Sequence, residues 1–459
     1  MNKLLLISHL LISHFVFAQI NSEINDKFSL KRVLATGSLR ASARQFSMFT
    51  QNHRGLTNYY GVAVGGGLRY ETKRWRNLQF GFGGYFVNDV VSSEFTQTDP
   101  TTKASSRYDS GLYDITGVED KSFLSRVEEL NVKYYLLKKS KFIFGKQILR
   151  TPLVNPQDGR MTPSMMEGIY LEFDEIKNLH IEGGWMYKSS PRSTFKWFGV
   201  GHSIGLYPVG VNADGAKNKY QNSLKTKGLF VFGANYSVGT SSKLILWNYL
   251  IQNISNTVML QLNQDLGKFK FGLQSFYQKS VGDGGNQDPT LQYLPRGSES
   301  VVFGGMASRQ IGSSNLQLNY TRITKKGKFL FPREWGREPF FTFLARERSE
   351  GLGDINAFTI NWGRFLATKK IKLELGLGYY DLPDVKNFAM NKYGIPSYTQ
   401  LNFDIRYKFS KAFEGLEAQL LVAKKWNMGN IYNDEKYRIN KVDMTNYNLV
   451  LNYSFEIKP

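Results

Sequence analysis

The chain has 459 residues and a formal net charge of +21, from 59 lysine and arginine residues against 38 aspartate and glutamate residues. It contains no cysteine, which excludes disulfide bonds as a means of stabilisation. The basic residues are spread along the chain among aromatic residues and glycines, and are not clustered in long runs. This spacing argues against a nucleic-acid partner. In an exported protein, we expect such basic residues to line a water-filled interior or to contact anionic lipid headgroups.

The N-terminal segment predicts a secretory signal peptide over residues 1–18. Lys3 supplies the positive start, an apolar run extends from Leu4 to Phe17, and Ala18 provides a small residue before the cleavage point. The alternative, a membrane-spanning helix, is disfavoured because such a helix needs roughly 20 apolar residues. We therefore predict that residues 19–459 form one domain.

The next elements in chain order are strands in which apolar and polar residues alternate. Residues 399–409 show the alternation most clearly, and 59–71, 371–381 and 444–457 repeat it. Alternation with a period of two indicates a strand with one apolar and one wet face. Each run has about ten residues, the length that crosses a bilayer at a tilt.

Eighteen such runs follow one another along the chain, which indicates a membrane-spanning β-barrel. The number is even, as a single-chain bacterial barrel requires. Residues 339–348 also look extended, but a nineteenth strand would place the two termini at opposite ends, so we assign 324–353 to one long loop. Short and long connectors alternate, as in barrels with short periplasmic turns and long outer loops. The predicted fold is all-β, a single 18-stranded antiparallel transmembrane β-barrel with inward-folded constricting loops. The strands are 34–46, 59–71, 77–88, 125–137, 141–150, 167–174, 179–187, 228–238, 242–251, 256–265, 268–278, 300–310, 314–323, 354–366, 371–381, 399–409, 415–426 and 444–457.

Two segments carry more information than strand alternation. The first is Gly145-Lys146-Gln147-Ile148-Leu149-Arg150-Thr151-Pro152-Leu153-Val154, followed by Asp158-Gly159-Arg160-Met161-Thr162-Pro163. The second is Phe331-Pro332-Arg333-Glu334-Trp335-Gly336-Arg337-Glu338-Pro339-Phe340, followed by Arg346-Glu347-Arg348 and Glu350-Gly351-Leu352-Gly353-Asp354. In these segments the chain resembles the OprD family of outer-membrane porins, and the resemblance extends with gaps over the mature chain.

This resemblance implies a monomeric barrel in the outer membrane of a Gram-negative bacterium. It further implies a substrate-selective channel for small carboxylate-bearing solutes, such as amino acids, peptides and organic acids. In the family, inward loops narrow the pore and basic wall residues guide the carboxylate. By position, the first segment corresponds to the constricting third outer loop and the second to the seventh. We expect small-molecule solutes and outer-membrane lipid as partners, and no cofactor.

The candidate constriction and substrate-binding residues follow from these segments and from one strand. Arginine side chains offer forked donors that match a carboxylate, and a nearby aspartate can hold them in place or form the cation side of the constriction. For Arg346 and Arg348, solute recognition and loop bracing are equally open, and the arginines and glutamates of 333–350 suggest an ion-pair network. The full candidate set is Arg150, Asp158, Arg160, Arg346, Arg348, Arg406 and Lys408.

Two other function classes remain as alternatives. An outer-membrane enzyme of the phospholipase type requires a serine–histidine pair, but His53, His180 and His202 belong to no recognisable catalytic or metal-binding motif. A secreted β-protein that binds polysaccharide would be extracted in buffer without detergent. The aromatic alternation that ends at Tyr453 and Phe455 disfavours this alternative.

Overall fold

The computed structural model describes residues 29–157, 160–346, 348–366 and 368–457. The predicted signal peptide and Asp158 therefore lie outside the described residues. Within the described ranges, no helix is both long enough and apolar enough to cross a membrane.

The described chain forms strands β1 to β19, all of them members of one antiparallel sheet. β8 has two residues and pairs only with the end of β7, whereas β7 pairs directly with β9. The sheet therefore contains eighteen barrel strands, as predicted. The bounds are β1 Ser38–Gln51, β2 Tyr59–Glu71, β3 Leu78–Ser92, β4 Leu124–Tyr135, β5 Lys141–Gln147, β6 Met165–Phe173, β7 Leu179–Ser190, β8 Phe198–Gly199, β9 Leu229–Val238, β10 Ser242–Ile251, β11 Ser255–Leu266, β12 Phe269–Ser280, β13 Glu299–Ile311, β14 Ser314–Ile323, β15 Ile355–Leu366, β16 Ile371–Asp381, β17 Tyr398–Lys408, β18 Leu416–Asn427 and β19 Met444–Ile457.

The sheet closes on itself through its first and last strands. β1 pairs with β2 on one side and with β19 on the other, from Leu39↔Ile457 to Gln51↔Thr445. A closed sheet has no free edge, so its backbone donors and acceptors bond within the barrel. The predicted start of the first strand was wrong by four residues, because Leu30–Ala35 forms a short helix.

The outer face of the barrel strands carries exposed apolar side chains, where a soluble protein would carry polar ones. On β19, Tyr447, Leu449 and Leu451 point outward and are exposed, whereas Asn446 and Asn448 point into the lumen and are buried. Large apolar side chains are exposed in the same way on nearly every barrel strand. A continuous apolar outer wall of this kind is stable when it contacts lipid hydrocarbon.

The two ends of the barrel differ in their connections. Short turns such as 239–241, 267–268 and 312–313 lie at the end that also carries the first residues of β1 and the last residues of β19. The long loops lie at the opposite end. One of them, 324–354, contains no strand among its described residues, so the assignment of 339–348 to a loop is confirmed.

Because the Leu451 side chain points outward near the middle of β19, the substitution Leu451→Arg tests the assignment of the outer face. A charged side chain at the bilayer midplane should lower the free energy of unfolding by about 2–4 kcal/mol. Ser42→Arg is the control, since Ser42 lines a cavity in the lumen. Equilibrium unfolding in lipid vesicles, followed by tryptophan fluorescence, measures both. Equal losses in the two variants would contradict the assigned faces.

Candidate functional site in the lumen

The loop 324–354 folds into the lumen and is anchored there by aromatic side chains. Trp335 is fully buried, and its indole Nε1 donates a hydrogen bond to Ser203 Oγ at 2.8 Å. The ring of Phe340 packs edge-on against that of Phe276 on β12, with the ring centroids 5.3 Å apart. These contacts bury apolar area that would otherwise face the lumen water, so they hold the loop against the wall.

A second loop, 148–164, is joined to the first by hydrogen bonds. The backbone N–H of Asn155 donates to the carbonyl of Trp335 at 3.0 Å, and its side-chain amide donates to the carbonyl of Arg337 at 3.0 Å. The hydroxyl of Ser164 donates to the carbonyl of Glu334 at 2.8 Å. The two segments that the sequence singles out are therefore parts of one folded unit.

A third loop, 93–123, completes this unit. The hydroxyl of Tyr108 donates to the carbonyl of Arg346 at 2.8 Å. The backbone of Gly111 lies against the guanidinium of Arg160 so closely that a Cβ atom at this position would clash with Nη1. The hydroxyl of Ser193, from the loop 191–228, donates to the carbonyl of Gly111.

These loops enclose an outer cavity of about 310 Å³ in which arginine is the most frequent lining residue. Among the described residues that line it, six are arginines and none is acidic. Phe95, Tyr108 and Tyr207 add aromatic surface to the same cavity. The six arginines are Arg107, Arg160, Arg192, Arg333, Arg346 and Arg348.

Arg346 is held by the closing strand of the barrel. Its Nε donates to Asn446 Oδ1 at 2.9 Å and its Nη2 donates to Asn448 Oδ1 at 2.6 Å. Its backbone has φ 82°, which is uncommon for a residue other than glycine. The buried Nζ of Lys425 donates to the Arg346 carbonyl at 3.1 Å and stabilises this conformation.

Arg348 and Arg333 are braced by neighbours within the loop 324–354. Arg348 Nη1 donates to the carbonyls of Arg333 and Gly336. Arg333 pairs with Glu350 at 3.0 Å, which is one ion pair of the predicted network. Burial raises the pKa of the Glu350 carboxyl, although Lys392 and Arg333 favour its charged form. Arg348 is thus braced in the loop and also lines the cavity.

Glu334 and Glu338, two further glutamates of the predicted network, bond to backbone groups. Glu334 Oε1 accepts from the N–H groups of Gly205 at 2.8 Å and Tyr207 at 3.1 Å. Glu338 Oε1 accepts from the N–H of Ser349 at 2.6 Å. These two carboxylates therefore connect and shape the loops.

The structure brings together only part of the candidate set. Arg160, Arg346 and Arg348 share the outer cavity, whereas Arg150 is exposed and does not line it. Arg406 lines a different region of the lumen, and its Nε and Nη2 each donate to the carboxylate of Asp404 at 3.1 Å. Lys408 lines a third, inner cavity.

Three arginines of the outer cavity are absent from the candidate set. Arg333 lies within the second segment, so its motif was the available signal. Arg107 and Arg192 come from outer loops without a recognisable pattern, and only the folding of those loops brings them to the cavity.

The segment around Arg160 separates the outer cavity from an inner cavity of about 750 Å³. The Arg160 side chain lines the outer cavity, while its carbonyl accepts a hydrogen bond from Arg44 Nη1, and Arg44 lines the inner one. Arg44 Nε donates a hydrogen bond to Asn452 Oδ1 at 2.6 Å, which holds the Arg44 side chain in place. Met161 lines the inner cavity beside Arg44. The loop 148–164 thus lies between the outer cavity, which is rich in arginine, and the inner cavity, whose lining holds both basic and acidic residues.

Comparison with known proteins identifies the family. The family model described as "outer membrane porin, OprD family" matches residues 118–346, about half of the chain and most of the constricting loops. The chain belongs to the OprD family of outer-membrane porins. This confirms the expected family and the outer-membrane location in Gram-negative bacteria. A search of curated proteins found no match.

Solved structures from Pseudomonas aeruginosa share the fold of this OprD-family porin. OccK9 (OpdG) has 16% sequence identity and a TM-score of 0.71, and the alignment covers 93% of this chain and 100% of that one. OpdK, solved with vanillate, has 15% identity and a TM-score of 0.68, with coverage of 93% and 100%. OccK3 (OpdO) has 15% identity and a TM-score of 0.68, with coverage of 94% and 100%. At these identities the similarity shows the barrel fold.

The close approach of Gly111 to Arg160 makes a prediction for the substitution Gly111→Ala. The added methyl group has no room beside the guanidinium, so Arg160 should move and the single-channel conductance in planar bilayers should change. Gly117→Ala, in the same loop, is the matched control because a Cβ atom there meets nothing within 4 Å. An unchanged conductance in Gly111→Ala, with Arg160 at its original position in a crystal structure, would contradict the described packing.

Proposed function

We propose that this OprD-family porin is a substrate-selective diffusion channel for small carboxylate-bearing solutes, such as amino acids, peptides and organic acids. The observation that carries the proposal is the convergence of six arginines on one outer cavity. The concentration gradient drives the solute, and the proposal requires no cofactor and no catalytic step. One barrel contains the whole cavity, which supports a monomer as the working unit.

The chemistry of the cavity fits a carboxylate. A guanidinium group is planar and permanently charged, and its parallel N–H donors match the two oxygens of a carboxylate. Arg346 and Arg348 are held by hydrogen bonds to fixed acceptors, so little further ordering is needed when a solute enters. The aromatic rings of Phe95 and Tyr207 offer apolar surface for the body of the solute.

The basic residues on the inner side of the constriction extend the proposed path. Arg44 and Lys408 line the inner cavity together with Glu414 and Glu417, and Arg44, whose Nη1 donates to the Arg160 carbonyl, would attract an anion that has passed Arg160. We expect a weaker role for Arg406, because Asp404 accepts both of its hydrogen bonds and offsets its charge. OpdK was solved with vanillate, which is itself a carboxylate, and this is consistent with a carboxylate path here. Arg150 and Asp158 stay predictions from the sequence.

The substitution Arg160→Gln tests the proposal. Loss of a hydrogen bond to a charged group costs about 1.5–3 kcal/mol, so the apparent affinity for a carboxylate solute should fall roughly tenfold or more. Swelling of liposomes that contain the protein, measured with a panel of amino acids, organic acids and neutral sugars, gives the uptake of each solute. The rates for neutral sugars should change little.

The matched control is Arg309→Gln. Arg309 lies at the short-turn end of β13, with its guanidinium over the ring of Phe269, and does not line the outer cavity. It should leave carboxylate uptake unchanged. A native protein that takes up neutral sugars and carboxylates of equal size at equal rates would contradict carboxylate selectivity.

A further inference from the structure

The loop 93–123 places a buried carboxylate behind the wall of the outer cavity. Asp109 begins a four-residue 3-10 turn, Asp109–Leu112, and is fully buried. Its Oδ2 accepts a hydrogen bond from Thr50 Oγ1 at 2.6 Å, whereas its Oδ1 accepts none from any residue in the described part of the chain. A buried carboxylate with one oxygen left without a donor is destabilising, so the folding of the turn does not explain its presence.

Asp109 is connected to the arginines of the cavity on two sides. Thr50 Oγ1 accepts from Asn446 Nδ2 at 2.9 Å, and Asn446 Oδ1 accepts from Arg346 Nε at 2.9 Å, which makes a continuous chain of hydrogen bonds. On the other side, the guanidinium of Arg160 lies against Gly111, two residues further along the same turn. A change in the charge of Asp109 therefore changes its electrostatic interaction with at least two arginines that line the cavity, Arg160 and Arg346.

Several further ionisable groups face this turn. Arg160 and Arg346 both favour the charged form of Asp109. The phenols of Tyr59 on β2 and Tyr113 lie close enough to interact with its charge, and burial together with Asp89 raises the pKa of Tyr113 far above its ordinary value. Lys425 on β18 contributes a positive charge beside Tyr108, with its Nζ 3.4 Å from the hydroxyl. Burial brings the pKa of the Asp109 carboxyl to about 7, so its charge can change near neutral pH.

We propose that Asp109 is a titratable counter-charge that sets how strongly the outer cavity prefers anions. The inference rests on the proposed function, since it assumes that the arginine cavity attracts carboxylates and other anions. It adds a specificity-determining residue that does not itself contact the solute.

The direction of the effect follows from the charge of Asp109. Burial raises the pKa of its carboxyl to about 7, although the hydrogen bond from Thr50 and the charge of Arg160 act in the opposite direction. Above this pKa the carboxylate offsets one positive charge of the cavity and weakens its attraction for anions. Below it, Asp109 is neutral and the full charge of the arginines acts on the solute. The anion preference should therefore increase as the pH falls through neutrality.

The test is the reversal potential of the full-length protein in planar bilayers under a potassium chloride gradient, at about pH 5.5 and about pH 8.5, on either side of this pKa. The native channel should show a severalfold higher ratio of chloride to potassium permeability at the lower pH. Asp109→Asn should keep the high ratio at both. The control Asp214→Asn removes an exposed carboxylate of an outer loop and should retain the native pH dependence.

Thr50→Val provides a second, independent variant. It removes the hydrogen bond that favours the charged form of Asp109, so the midpoint of the change in permeability ratio should move to higher pH. This variant and the native pH profile decide the question even if Asp109→Asn fails to assemble.

The possible outcomes distinguish the two proposals. An anion-selective native channel whose permeability ratio is the same at both pH values would overturn the role of Asp109 and leave the proposed function intact. A channel that prefers potassium at both pH values would overturn the anion preference on which the proposed function depends.

Discussion

The hydrogen-bonded ladder between β1 and β19 is the constraint on which the remaining structure depends. It runs without interruption from Leu39↔Ile457 to Gln51↔Thr445 and turns an open sheet into a barrel. An open edge in hydrocarbon would leave a row of backbone donors and acceptors without partners, at several kcal/mol for each group. Closure also creates an interior that lipid cannot enter, where polar side chains and loops have a separate environment.

The site in the lumen depends directly on this closure. Asn446 and Asn448 of β19 hold the guanidinium of Arg346, and Thr50 of β1 donates to Asp109. Both strands that close the barrel thus position groups at the outer cavity. The loops 93–123, 148–164 and 324–354 bind to one another across the lumen, so a shift of the β1–β19 register would change the geometry of all three. Fold and selectivity are therefore coupled through the same pair of strands.

The fold could be predicted from the sequence because its main signal is local. Alternation with a period of two and a run length of about ten residues are properties of each strand by itself. They can be recognised without knowing which strands pair. The boundaries were less well predicted. The first strand continues to Gln51, five residues beyond its predicted end, because its pairing with β19 extends to that residue.

The candidate site could be predicted only in part because it is assembled from distant loops. Arg160, Arg346 and Arg348 lie in the two segments on which the family resemblance depends, and they line the outer cavity. Arg107 and Arg192 reach the same cavity through the folding of outer loops, for which the sequence carries no periodic signal. The pairing of Arg406 with Asp404 could have been predicted, since residues two apart on a strand share a face.

The most direct test of the account is the closure of the barrel. Because the chain contains no cysteine, a disulfide introduced between two strands can be detected without interference from native thiols. The double substitution Ser47→Cys with Leu449→Cys joins residues that are register partners on β1 and β19, and it should form a disulfide in the membrane-inserted protein. Failure of this pair to cross-link, with cross-linking of the displaced pair Ser47→Cys and Tyr453→Cys, would contradict it.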